Sequence, residues 1–102
     1  MKKEEASAID ALGAEFSNLS TQEKKDLGLL GGVKVIKLND GKLSRSTNMK
    51  EGFIITKLNN KSVNNVDELK DALASAKDGG NGVMIEGRYP DYPGQYFYAF
   101  GL

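Results

Sequence analysis

The mostly apolar run Phe53-Ile54-Ile55-Thr56-Lys57-Leu58 lies between two asparagine turn signals. Asn48 can end a short helix in a left-handed conformation, and Asn59-Asn60 can make a tight hairpin turn, so residues 53–58 predict a buried strand. Downstream, Val66, Leu69, Ala72, Leu73 and Ala76 fall on one side of a helical wheel, while Asp67, Glu68, Lys70, Asp71 and Lys77 hold the other. That spacing predicts an amphipathic helix over residues 66–77, capped by Asn65 with Glu68 three positions on.

The same logic orders the rest of the chain. Residues 2–10 are charged and alanine-rich and read as a linker or loose helical lead-in, so the folded domain is expected to span residues 11–102. Leu12, Ala14 and Phe16 alternate with Gly13, Glu15 and Ser17, the period of a half-buried strand over 11–17. Ser20-Thr21-Gln22-Glu23 fits a capping box that opens a short helix ending near Gly28. Residues 33–38 predict a strand with one apolar face, closed by an Asn39-Asp40-Gly41 turn, and residues 42–48 a short polar helix with Leu43 and Met49 turned inward. A terminal hairpin over 83–89 and 95–102 spans a loop containing Pro90 and Pro93. The elements together predict a mainly β chain with two or three helices: a partly open barrel or sandwich of five or six strands, with the long helix packed on one opening.

Composition narrows the chemistry. The 102 residues and 39% hydrophobic content fit one domain with a single modest core. Lysine plus arginine and aspartate plus glutamate both number 14, so no global field favours nucleic acid or an anionic membrane surface. Without histidine or cysteine the chain can build no Ser-His-Asp triad, Cys-His pair, disulfide framework or ordinary zinc site. Serine and lysine are present, but no pair is marked as a dyad, and the chain by itself is read as no enzyme. The glycine clusters at 28–32 and 78–82 lack the lysine and hydroxyl of a phosphate loop, and Asp40, Asp78 and Asp91 lack the further acidic positions of a calcium loop. These are turns, and no cofactor or metal is implied. Tyr89, Tyr92, Tyr96, Phe97, Tyr98 and Phe100 lie in the terminal hairpin without clustered basic residues and read as core packing and edge contacts, not as a base-stacking platform. No apolar run approaches the roughly 20 residues that span a bilayer, and Met1-Lys2-Lys3-Glu4-Glu5 lacks the apolar centre of a signal peptide, so the chain is expected to be cut from a longer protein.

The stretch from Asn48 to Val63, Asn48-Met49-Lys50-Glu51-Gly52-Phe53-Ile54-Ile55-Thr56-Lys57-Leu58-Asn59-Asn60-Lys61-Ser62-Val63, resembles the segment G-L-x-x-G-D-x-I-x-x-I-N-G-x-x-V of bacterial PDZ domains. Asn48 stands where glycine is usual and Phe53 where aspartate is usual. The order of elements over residues 11–102 resembles the circularly permuted PDZ domains of Do-like (HtrA, or Deg) periplasmic serine proteases. The segment from Ala11 to Ser17, followed by Gly32-Val33-Lys34-Val35, looks like their second, C-terminal PDZ domain. Tail-specific processing peptidases and site-2 proteases carry related permuted domains.

The resemblance implies a PDZ-like module that captures exposed apolar C-termini of unfolded or substrate proteins by strand addition, as part of periplasmic protein quality control. Leu12, Gly13 and Ala14 would offer N–H groups to the terminal carboxylate, and Glu15, Phe16 and Ser17 would pair with the peptide. Val66, Leu69, Lys70 and Leu73 would flank it from the helix, although both leucines can also be read as ordinary core, Leu69 equally so. Further partners implied are the protease domain and sister PDZ domains of the parent chain. The competing expectation is an assembly or regulatory domain with a closed groove.

Overall fold

The computed structural model describes residues 7–9, 13–39, 42–47, 49–79 and 82–101. Seven strands and three helices alternate along it. They are β1 (Ser7–Ile9), β2 (Ala14–Asn18), α1 (Thr21–Leu27), β3 (Val33–Leu38), α2 (Lys42–Ser46), β4 (Ile54–Leu58), β5 (Lys61–Ser62), α3 (Val66–Asp78), β6 (Val83–Arg88) and β7 (Tyr96–Phe100). All the strands join one antiparallel sheet in the order β1-β2-β3-β4-β6-β7, with β5 added to β4. The mainly β architecture with one long helix is the expected one.

Local chemistry accounts for several elements. Ser20 caps α1 from an extended conformation: its Oγ accepts the Glu23 N–H at 3.1 Å, while Glu23 Oε1 accepts the Ser20 N–H at 3.0 Å. Gly28, at φ 68°, ends that helix in the left-handed region that glycine enters without a Cβ penalty. Asn59 and Asn60, at φ 52° and 70°, form the two-residue turn between β4 and β5, as their tolerance of positive φ predicts. Asn65 Oδ1 accepts the Glu68 N–H at the start of α3, and the Glu68 carboxylate accepts the N–H of Asn64.

One apolar core holds the sheet and α3 together. Phe16, Val33, Val35, Ile55, Leu58 and Ile85 from the strands, with Phe53 just before β4, meet Val66, Leu69, Leu73 and Ala76 from α3, and Leu43 and Met49 enter from around α2. The inward stripe of α3 is the one its periodicity predicts.

Three sequence expectations need correction. The lead-in contains strand β1, so the sheet begins before residue 11. Its alanine-rich sequence favours helix locally, but pairing with β2 decides the outcome. The second strand starts at Ala14 because Gly13 turns the chain at φ 70°. β3 does not keep a single apolar face: its pairing with β2 shifts between Glu15 and Phe16, so Ile36 is an extra residue and lies exposed. The six strands of the path β1-β2-β3-β4-β6-β7 agree with the expected five or six, and the two-residue β5 is added beside β4. The Asn39-Asp40-Gly41 turn and the Asn48 helix stop fall partly or wholly outside the described residues.

Candidate functional site

The site residues predicted from sequence converge on β2 and α3. Leu12 lies outside the described residues. Gly13 is fixed from the far side, since its carbonyl accepts the Asn39 N–H at 2.8 Å from the end of β3. Ala14 and Phe16 are buried, and their side chains belong to the core. Glu15 is half-buried, with Lys37 opposite it on β3 and Ala8 opposite it on β1. On the helix, Val66, Leu69 and Leu73 are buried in that same core, whereas Lys70 is exposed. Leu69 is completely buried, which decides its double reading in favour of packing.

The side chains brought together between β2 and α3 are therefore apolar and inward, and what β2 has to offer a ligand is its backbone. A strand donates and accepts hydrogen bonds along both edges. One edge of β2 is taken by β3 from Ala14 to Asn18. The other carries β1, antiparallel, with Ser7 opposite Phe16, Ala8 opposite Glu15 and Ile9 opposite Ala14. The edge expected from sequence to accept a peptide is thus filled by the chain itself from Ala14 to Phe16.

Sequence reasoning passed over Asn18. Its Oδ1 accepts the Val66 N–H at 2.8 Å, satisfying one of the open donors of the first turn of α3 and tying the helix start to the end of β2. The spacing of α3 from β2 is set there. An asparagine at the end of a strand carries no local signal for this role, because its partner is contributed by a distant helix.

An aromatic group stands away from that groove. The Phe53 ring lies 4.9 Å from Tyr89 and 5.2 Å from Tyr98, and Tyr96 and Tyr92 lean edge-on against Tyr89. Tyr89 Oη accepts the Lys50 N–H at 2.9 Å and shares a 2.7 Å hydrogen bond with Tyr98 Oη. Burial and this hydroxyl partner push the Tyr98 pKa upward. Tyr89 and Phe100 are buried and the group serves packing, although Tyr92 and Phe97 remain exposed. Across the molecule, Glu23 bonds Lys34 Nζ at 2.8 Å, and this bond, with the Ser20 N–H, holds its carboxyl below the usual carboxylate range.

Among the described residues, no group of histidine, cysteine and acidic side chains could hold a metal, and no helix is long and apolar enough to cross a membrane. The fold and site define a small antiparallel β domain with a helix laid beside a strand whose backbone receives another strand. A family model of the PDZ-like domain matches residues 6–79, from β1 through α3, and the chain belongs to that family. No curated protein and no solved structure matches it. As a PDZ-like domain it is a protein-interaction module.

Proposed function

We propose that this module captures the apolar C-terminal end of a partner protein by adding it as a strand to β2. The observation that carries the reading is β1. This segment lies antiparallel on β2 with its C-terminal end, Ile9, beside Ala14, so the edge accepts a strand of the direction a C-terminal peptide needs to bring its carboxylate to Gly13 and Ala14. Strand addition gives affinity through main-chain bonds and specificity through neighbouring side chains. Val66 and Leu73 supply an apolar neighbourhood, and Lys70 lies exposed on the same helix.

The parent is proposed to be a Do-like serine protease of the periplasm, with this chain as its second PDZ domain and with hydrolysis confined to another domain. Support comes from the resemblance of residues 48–63 and 11–17 and from the lack of histidine and cysteine. A Gly-x-Ser-Gly-Gly segment earlier in the same protein is the expected companion, and its absence would favour a tail-specific or site-2 protease.

Filled as it is by β1, the β2 edge also favours a second reading, an assembly or regulatory domain with a closed groove. Titration of the full chain with a fluorescein-labelled octapeptide ending in Leu-Ala-Val separates the two. Capture predicts binding on the order of micromolar or weaker, abolished when the peptide carboxylate is amidated. Binding that ignores amidation, or no binding in any form of the chain, rejects capture and leaves assembly.

A further inference from the structure

From Ala14 to Phe16 both edges of β2 are paired, so a peptide can join this strand there only if one neighbour leaves. β3 cannot be that neighbour. It pairs along the whole length of β2, contributes Val33 and Val35 to the core, and continues the sheet into β4. β1 has only three residues, pairs with β2 alone and ends the sheet. Opening it breaks a few edge hydrogen bonds and leaves the rest of the sheet continuous.

We propose that β1 is an autoinhibitory strand, a built-in occupant of the peptide-acceptor edge that must detach from β2 before a partner C-terminus can bind. This rests on the peptide-capture reading. Only residues 10–13 separate Ile9 from Ala14, and a tether that short holds β1 at an effective concentration on the order of millimolar. A weak three-residue strand can therefore compete with a free peptide. The affinity seen by the peptide falls by the fraction of molecules in which the edge is open.

The test uses the full chain and the labelled octapeptide ending in Leu-Ala-Val. Ala8 and Glu15 are directly opposed, and the sequence has no cysteine, so Ala8→Cys with Glu15→Cys creates a single disulfide that can lock β1 onto β2. The oxidised protein is expected to bind at least about tenfold more weakly than the same protein reduced. A second variant, Ser7→Gly, Ala8→Gly and Ile9→Gly together, keeps the tether length and weakens the strand, and should bind several-fold more tightly than the parent. Equal, measurable binding by the oxidised and reduced forms overturns the inference while leaving peptide capture intact, because the peptide must then add elsewhere, such as the outer edge of β1. No binding by any form, the triple glycine variant included, overturns peptide capture and the inference with it. Failure of the cysteines to close within one chain, or closure between two chains, overturns the placement of β1 on its own β2.

Discussion

Phe53 stands where the PDZ sequence pattern has aspartate, and its surroundings explain how an aromatic residue is accommodated. The ring is completely buried between Tyr89, tilted against it, and Tyr98, edge-on to it, and such aromatic pairs each add about 0.5–1.5 kcal/mol beyond burial. Room for it comes from β6. A Cβ built on Gly87 would collide with the Ile54 carbonyl oxygen and lie 2.8 Å from Phe53 Cζ, so the strand carries glycine where β4 and the ring approach it. Gly87→Ala is therefore expected to destabilise the domain by about 2 kcal/mol or more, since a backbone oxygen cannot step aside as a flexible side chain could. Urea unfolding measures this, and a variant as stable as the parent would mean that β4 and β6 separate more readily than their pairing implies.

Between elements, the Glu23 to Lys34 bond joins α1 to β3. Both side chains are about a third exposed, at 30% and 33%, so the pair contributes no more than about 1 kcal/mol after solvent screening. The Glu23 carboxyl has a lower pKa folded than its unfolded value of about 4.5. A depressed carboxyl stabilises the fold above the unfolded value, and that contribution is lost as the pH falls through the folded one. Glu23→Gln should consequently be less stable than the parent at pH 7 and nearly equal to it at pH 2. Denaturant unfolding at the two pH values checks this, and a gap that persists undiminished in acid would assign the effect to the cap alone.

The helix α3 offers a sharper contrast between two adjacent positions. Leu73 is 6% exposed and Ala72 8%, both on the inward face. Leu73→Ala removes apolar surface and leaves a cavity, at an expected cost of roughly 2–5 kcal/mol, and Ala72→Leu over-packs the helix against its neighbours at about 1–3 kcal/mol. If Leu73 also flanks a captured peptide, only Leu73→Ala weakens binding at concentrations where both variants are folded. Paired unfolding and peptide titrations read the two effects separately.

For the whole molecule, β4 is the hub of the sheet, paired with β3, β5 and β6, and its Ile54, Ile55 and Leu58 are completely buried. β1 lies at the end of the sheet on a single neighbour. Native-state hydrogen exchange is expected to be slowest at the paired amides of β4 and β6 and fastest, among strands, at residues 7–9, because edge pairs open locally while central ones need global unfolding. Amides of β1 protected as well as those of β4 would contradict a releasable strand.

How much of this was legible beforehand follows the range of the interactions. The Ser20 to Glu23 box, the Asn59-Asn60 turn and the apolar stripe of α3 were determined by the sequence alone, since each depends on residues a few positions apart with strong conformational preferences. The resemblance of residues 48–63 likewise located the central strand and turn of a PDZ-like domain. Only the tertiary structure decided that Ser7–Ile9 is a strand, that Ile36 is bulged outward, that Phe53 is enclosed by tyrosines from β7 and the end of β6, and that Asn18 holds the start of α3. In each of these the deciding partner is on another element, and nothing in the neighbouring residues encodes it. The state of the β2 edge is the clearest instance: residues 11–17 carry the pattern of a strand, but whether its outer hydrogen-bonding groups are free depends on where a weakly patterned segment comes to rest.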